Sequence, residues 1–179
     1  MSTIEQLALQ GSANTSYDTL LFNERLVHVR NQHIRDILSD CLHTSCRMEY
    51  VATVCGIDFI NDAKADNLNA AWYSLESMTK PVIWIVNSMD ADAGFEKIAP
   101  LLRKKVKAVI LLGHADNLSS VFSNYVERVY KAGNIEHAVQ LAYTVGIQGD
   151  TILFTPATGG YNENYKQRGD SFAVAVKRL

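Results

Sequence analysis

Residues able to do chemistry gather in four short stretches of the chain. They are Asn61, Asp62, Lys64 and Asp66; Asn87, Ser88, Asp90 and Asp92; Gly113, His114, Asp116 and Asn117; and Thr155, Pro156, Thr158, Gly159, Gly160 and Tyr161. Each stretch follows an apolar, β-branched run. In an open α/β sheet, ligands sit beyond the carboxyl ends of the strands, where helix N-termini point. Asp62, Lys64 and Asp66 therefore stand where a ligand would be met. Asp90-Ala-Asp92 has the carboxylates that a Mg²⁺ ion with waters and phosphate takes. The same residue types also cap helices: Asp66, Asp92 and Asn117 each precede a helical pattern, and Asn67 competes with Asp66 for its cap. Cys41-Leu-His43-Thr-Ser-Cys46 offers soft ligands, but a structural zinc site wants four and no fourth is near. No metal site is assigned, and no residue is given a catalytic role.

The elements that must position these loops follow a regular plan. Met48–Cys55 is strand-like, Gly56 is a turn and Ile57–Ile60 is a second strand, which predicts a β-hairpin. Leu68–Met78 is helical, with Ala70, Ala71, Leu75 and Met78 for its buried face. Pro81–Val86 is a nearly continuous apolar run, as in a strand covered on both faces. A helix Phe95–Lys104, a buried strand Val106–Leu112, a helix Leu118–Tyr125, a short strand Glu127–Lys131 and a helix Ile135–Val145 come next. Thr151–Phe154 is the last strand, and the last helix starts near Lys166 or Arg168. Strands alternating with helices predict an α/β fold: a Rossmann-like, mostly parallel sheet flanked by helices. The first 38 residues read differently. Leu20, Leu21, Leu26, Val27, Ile34, Ile37 and Leu38 recur near helical spacing, with His28 and His33 among them, so residues 1–45 form a helical arm and 46–179 the sheet domain. Trp72 and Trp84 lie in apolar patterns and belong to the core.

Composition narrows the function classes. The chain has 179 residues, 47% hydrophobic and 20% charged, and a net charge of −2. That suggests neither sequence-independent nucleic-acid binding nor attachment to anionic lipid. No apolar run approaches the roughly 18–20 residues that span a bilayer. The first residues lack the features of a signal peptide, and three cysteines make a sparse, odd set, which together predict a cytoplasmic protein. There is no Gly-x-x-x-x-Gly-Lys-Ser/Thr phosphate loop, no Gly-x-Gly-x-x-Gly fingerprint and no Gly-x-Ser-x-Gly elbow.

Several segments, in order, resemble the Mur ligase family, in particular its D-glutamate-adding branch, the UDP-N-acetylmuramoyl-L-alanine:D-glutamate ligases (MurD). Phe59-Ile-Asn-Asp-Ala-Lys-Ala-Asp-Asn67 looks like the family's Asn-Asp-Ser-Lys-Ala-Thr-Asn segment. Ser45-Cys-Arg-Met-Glu49 sits where the family has His-Arg-hydrophobic-Glu. Lys105–Gly113 and Gly149–Ala157 resemble its later strands, and Asn164-Tyr-Lys-Gln-Arg-Gly-Asp170 its terminal Asn-Phe/Tyr-x-x-Arg-Gly signature. The resemblance implies the third domain of a three-domain ligase of peptidoglycan precursor synthesis, with residues 1–45 as the tail of the central ATPase domain. The complete enzymes use ATP and Mg²⁺ to activate a carboxylate as an acyl phosphate, which the amino group of D-glutamate then attacks. By resemblance, Arg47 and Asp62 would touch the nucleotide and Lys64 would lie beside phosphate or substrate. A guanidinium or ammonium balances phosphate charge, and a carboxylate accepts from ribose hydroxyls.

The substrate-binding positions depart from the family pattern. The D-glutamate-binding lysine falls on Ala91, and the two glycines before it on Asn87 and Ser88. The threonine that helps to hold D-glutamate falls on Asp66, whose carboxylate faces an anionic substrate. The Ala-Ser loop becomes Gly159-Gly160, followed by Tyr161, and Tyr165 replaces phenylalanine. Gly11-Ser-Ala-Asn-Thr-Ser-Tyr17 lacks a family His and Asn. These changes, with the missing phosphate loop, predict a domain without ligase activity of its own and without a cofactor in isolation. The alternatives are a fragment acting in trans with ATPase and UDP-binding domains, and a binding module whose changed site takes a small anionic, zwitterionic or cationic ligand or a protein.

Overall fold

The structure, a computed structural model, describes residues 46–87, 94–113, 116–157 and 164–179, without the side chains of 116 and 117. The proposed arm 1–45, the Asp90/Asp92 loop, His114 and the Gly159–Tyr161 stretch lie outside the described residues. The strands are β1 (Glu49–Val54), β2 (Ile57–Asn61), β3 (Val82–Asn87), β4 (Val106–Leu112), β5 (Arg128–Ala132) and β6 (Thr151–Phe154). The helices are α1 (Leu68–Ser77), α2 (Ala99–Lys105), α3 (Asp116–Ser123), α4 (Ile135–Val145) and α5 (Tyr165–Lys177), with a 3₁₀ turn at Phe95–Lys97. The six strands form one sheet in the order β1-β2-β6-β3-β4-β5. Only the β1–β2 hairpin is antiparallel; β2–β6, β6–β3, β3–β4 and β4–β5 run parallel. The expected hairpin entry and parallel sheet are both present.

Side chains alternate between the faces with the period of two that a pleated strand imposes. Val82, Trp84, Val86, Val109, Leu111 and Leu153 pack on one face with Ala71 and Leu75 of α1, Leu101 and Leu102 of α2, and Leu118 and Phe122 of α3. Phe59, Ile83, Ile85, Ala108, Ile110, Ile152 and Phe154 pack on the other with Ala138, Val139 and Ala142 of α4 and Phe172, Ala175 and Val176 of α5. Coverage of both faces explains why Val82–Val86 of β3 and Ala108–Leu112 of β4 read as unbroken apolar runs. Trp84 is fully buried, and its Nε1–H donates to Thr155 Oγ1 at 2.6 Å. Trp72 packs at the margin of the first core, partly exposed.

Several boundaries differ from the sequence reading, and three have a bearing on the site or its scaffold. The expected helix 95–104 divides into the 3₁₀ turn and α2, with Pro100 in the first turn of α2. Proline has no N–H to bond back one turn, so an unbroken helix cannot run through that position. Helix α3 begins at Asp116, which places Asn117 inside it rather than at its cap. Helix α5 begins at Tyr165, earlier than Lys166 or Arg168. No helix among the described residues is long and apolar enough to cross a membrane.

The β2 loop leads to α1 on one face, whereas the chain after β6 leads to α5 on the other. Neighbouring strands whose chains depart to opposite faces leave a crevice between their carboxyl ends, the usual ligand position in such sheets. The Asn61–Asp66 loop borders it on one side and the first turn of α5 on the other. Trp84 anchors the strands beneath. Trp84→Ala should destabilise the domain by about 3–5 kcal/mol. Trp84→Phe, which only strips Thr155 of its donor and trims the ring, should cost about 1–3 kcal/mol. Urea denaturation followed by far-UV circular dichroism measures both.

Candidate functional site

The site is built on Asn61 and Asp62, two polar residues closing an apolar strand. Both are buried, at 0% and 3% exposure, so each must find its partners inside the protein. Asn61 Nδ2 donates to Glu49 Oε2 at 3.0 Å and to the Gly169 carbonyl at 3.3 Å, while its Oδ1 accepts from Ala63 N–H at 3.2 Å. Glu49 Oε2 also accepts from Cys46 N–H at 3.0 Å. One amide thus ties together the entry to β1, the loop after β2 and helix α5. Gly169 is where α5 presses closest: a Cβ there would lie 2.3 Å from Cys46 Sγ and 2.9 Å from Asn61 Nδ2.

The Asp62 carboxylate turns inward. Oδ1 accepts from Met48 N–H at 3.2 Å, and Oδ2 lies in a short hydrogen bond with the Ser74 hydroxyl of α1. Its own N–H donates to the Phe154 carbonyl at 2.9 Å. Burial pushes the Asp62 carboxyl above the usual carboxylate range, opposed by the Ser74 and Met48 hydrogen bonds and by the charge of Arg47. Ser74 Oγ also lies 2.9 Å from the Ala70 carbonyl. A hydroxyl has one proton for two acceptors. Ser74 Oγ–H donates to Asp62 Oδ2, with the Ala70 carbonyl as the competing acceptor.

The remaining site residues lie along the same carboxyl edge of the sheet. Arg47 is exposed at the entry to β1. Lys64 is half-buried; its N–H donates to the Cys46 carbonyl at 3.0 Å, and Nζ sits 5.8 Å from the centroid of the Tyr165 ring. Asp66 is half-buried and accepts at Oδ1 from Asn67 Nδ2 at 3.0 Å. The cap of α1 belongs to Asn67, which accepts from Ala70 N–H at 2.9 Å, and not to Asp66. Arg168 lies one turn beyond Tyr165 on α5. Burial pushes its guanidinium below the ordinary arginine value, and the Asp66 charge opposes this.

Arg47, Asp62, Lys64, Asp66 and Tyr165 therefore share one edge of the sheet, while Ala91, Gly160 and Tyr161 lie outside the described residues. Among the described residues no three His, Cys, Asp or Glu are placed to hold a metal ion. Cys46, read as a possible soft ligand, is buried against Asn61 and Gly169, and burial raises its thiol pKa. Sequence reasoning missed Ser74, Glu49 and Arg168. Ser74 is a polar side chain on the apolar stripe of α1, between Ala71 and Met78, which is the signal that could have found it. Arg168 precedes Gly169, which has no room for a side chain.

A family model for the "Mur ligase, glutamate ligase domain" matches residues 46–158. The UDP-N-acetylmuramoylalanine–D-glutamate ligase of Christiangramia forsetii is 36% identical over 179 aligned residues, covering 97% of this chain and 40% of that protein. The enzyme of the same name from Porphyromonas gingivalis is 36% identical, covering 98% of this chain and 40% of its own length. The chain thus spans about two fifths of the curated relatives it matches. Among solved structures, a murein peptide ligase of Psychrobacter arcticus superposes with a TM-score of 0.52 at 14% identity, over 75% of this chain and 30% of that one. At that identity the likeness is one of fold.

Because the Asp62 pKa is raised on folding, its contribution to stability is fully present below the unfolded carboxylate value and lost as pH rises through the folded one. Asp62→Asn keeps an acceptor for Met48 N–H and supplies a donor for Ser74 Oγ, with no charge to bury. It should remove this fall in stability with pH and be as stable as wild type, or more so, at neutral pH. Asp62→Ala leaves the partners unpaired and should cost about 1–3 kcal/mol for each group stranded without water. Urea denaturation across the acid-to-neutral range separates them. Gly169→Ala should destabilise the fold despite the roughly 1 kcal/mol by which alanine favours a helix, with Cys46→Ala recovering part of the loss in the double variant.

Proposed function

The chain belongs to the Mur ligase family through its glutamate ligase domain, and from that premise we propose that it serves as the amino-acid-delivering domain of a MurD-type ligase of peptidoglycan precursor synthesis, with no ligase turnover of its own. The observation that carries this reading is the crevice at the carboxyl ends of β2 and β6. There Lys64 is fixed by the Cys46 carbonyl and the Tyr165 ring, with Arg47 exposed beside it. The identity to D-glutamate ligases along nearly the whole chain supports the same assignment. Work in the cytoplasm accompanies this reading.

The residues present fit a nucleotide in part. Arg47 and Lys64 are the groups that would meet phosphate charge, one by a planar fork and one as a point charge. ATP, when bound, supplies the phosphoryl group that activates a carboxylate. Asp62 is spent on Met48 and Ser74 inside the fold, so its part is to hold the loop that carries Lys64. No Mg²⁺ ligand is assigned to this chain. Its own residues orient the amino acid, and the phosphate loop and the UDP-sugar site are contributed by the ATPase and UDP-binding domains, in one polypeptide or in trans. Asp66, half-buried beside Arg168, favours a second reading in which the amino acid accepted is not D-glutamate.

The test is amide formation from UDP-N-acetylmuramoyl-L-alanine, ATP and radiolabelled amino acid. The chain alone should give no product. Supplied with ATPase and UDP-binding domains from a D-glutamate ligase, it should restore measurable turnover, and Lys64→Ala should lower that turnover by at least tenfold. Turnover by the chain alone, or no restoration together with no association in sedimentation, would overturn the reading. Replacing D-glutamate by lysine or ornithine in the same assay decides the second reading.

A further inference from the structure

One side chain at the crevice is left with an obligation that the protein itself does not meet. Nε and Nη2 of Arg168 are both buried and have no hydrogen-bond partner. These two nitrogens form one edge of the guanidinium, with their N–H bonds parallel. That edge matches the two oxygens of a carboxylate in the bidentate arrangement. A guanidinium stays charged under all ordinary conditions, so a buried unpaired edge is costly to keep and its retention needs a reason.

Its place in the fold supplies one. Tyr165 and Arg168 are three residues apart on the first turn of α5, and so share a helix face. Tyr165 meets Lys64 and Arg168 feels Asp66, so this face looks onto the Lys64–Asp66 loop across the crevice. Asp66 bonds to its neighbour Asn67 and leaves the Nε/Nη2 edge free. Directly behind, Gly169 is wedged against Cys46 and Asn61, and its carbonyl is held by Asn61 Nδ2. The backbone that carries Arg168 therefore has little room to turn the edge away.

We propose that the Nε/Nη2 edge of Arg168 receives the carboxylate of the amino acid that this domain delivers, in a two-bond fork set one helical turn from Tyr165. The inference rests on the functional reading above and adds the residue that grips the ligand. The phosphate of a nucleotide carries oxygens of similar spacing, so the test has an arm for each source.

The test uses the full chain as wild type, Arg168→Lys and Arg168→Met, with thermal unfolding and calorimetry in acetate, D-glutamate, inorganic phosphate and ATP. Acetate and D-glutamate should raise the wild-type midpoint, and phosphate and ATP should raise it less. Arg168→Lys, which keeps the charge and loses the fork, should bind D-glutamate at least tenfold more weakly. Arg168→Met should unfold at a higher midpoint than unliganded wild type, since it no longer buries an unpaired edge, and should ignore both carboxylates. A lowered midpoint in Arg168→Met with unchanged carboxylate binding would make Arg168 a structural residue and overturn the proposal. A response to phosphate and ATP that Arg168→Met abolishes, with none to carboxylates, would overturn the carboxylate assignment. The two readings fail separately. If reconstituted ligase runs equally well with Arg168→Met, this inference falls and the ligase role stands. If wild type supports no ligase but its carboxylate response needs Arg168, the reverse holds.

Discussion

Asp62 stands at the end of a strand, almost without solvent, with one oxygen on the Met48 amide and the other on the Ser74 hydroxyl. Those partners belong to different elements, the entry to β1 and the middle of α1. Their joint grip fixes where the hairpin and the first crossover helix sit relative to the sheet edge. Removing either partner would leave a carboxyl group buried and partly unsatisfied, which costs more than the bond itself contributes. Asn61 repeats the arrangement toward the other face, where its side chain joins Glu49 and the Gly169 carbonyl. Between them, two consecutive side chains determine the positions of both walls of the crevice.

The backbone around this pair is strained in a patterned way. Cys46, Met48 and Ala157 all have positive φ, at 65°, 45° and 49°, although none is glycine. Such conformations cost on the order of 1–3 kcal/mol each and survive where neighbouring structure over-determines them. Here the over-determination is visible. Each strained residue has its N–H bonded across the crevice region: Cys46 to Glu49, Met48 to Asp62, and Ala157 to the Ala65 carbonyl. Strain and hydrogen bonding fall on the same residues, so the edge is rigid at the points from which Arg47 and Lys64 project.

Much of the scaffold was legible in the sequence, because a strand covered on both faces has no choice but to be apolar throughout. Val82–Val86 and Ala108–Leu112 could hardly be anything else. The turns at Gly56 and Gly149 and the helix Ile135–Val145 carry equally local signals. The division at Pro100 and the start of α5 were less visible, since they depend on which amides go unbonded at a helix end rather than on hydrophobic period. The site was half legible. The Asp62–Asp66 loop announced itself through charge in an apolar context, but the inward turn of Asp62 did not. That depends on Ser74, twelve residues away and hidden within a helical stripe. Arg168 appeared only as part of the terminal Asn-Phe/Tyr-x-x-Arg-Gly signature, because sequence shows the residue and not the burial of its edge.

Among the described residues, cations at the two ends of the sheet find different sets of partners. At the amino ends of the strands, three lysines are paired within the fold, while Arg103 lies over the Tyr125 ring. Lys107 reaches both oxygens of buried Asp150 at 3.0 and 2.8 Å, Lys80 pairs with Asp58, and Lys105 meets the Leu75 and Glu76 carbonyls and the Glu76 carboxylate. At the carboxyl ends, Lys64 rests over an aromatic ring, Arg47 stands in solvent, and one edge of Arg168 is bonded to nothing. The ring holds an ammonium through its quadrupole without neutralising it. Arg47 and Arg168 there feel the carboxylates of Asp62 and Asp66, so the described part of this edge carries both signs of charge. An anionic group entering there would meet Lys64 already held by the Tyr165 ring, with the cost of ordering it met on folding.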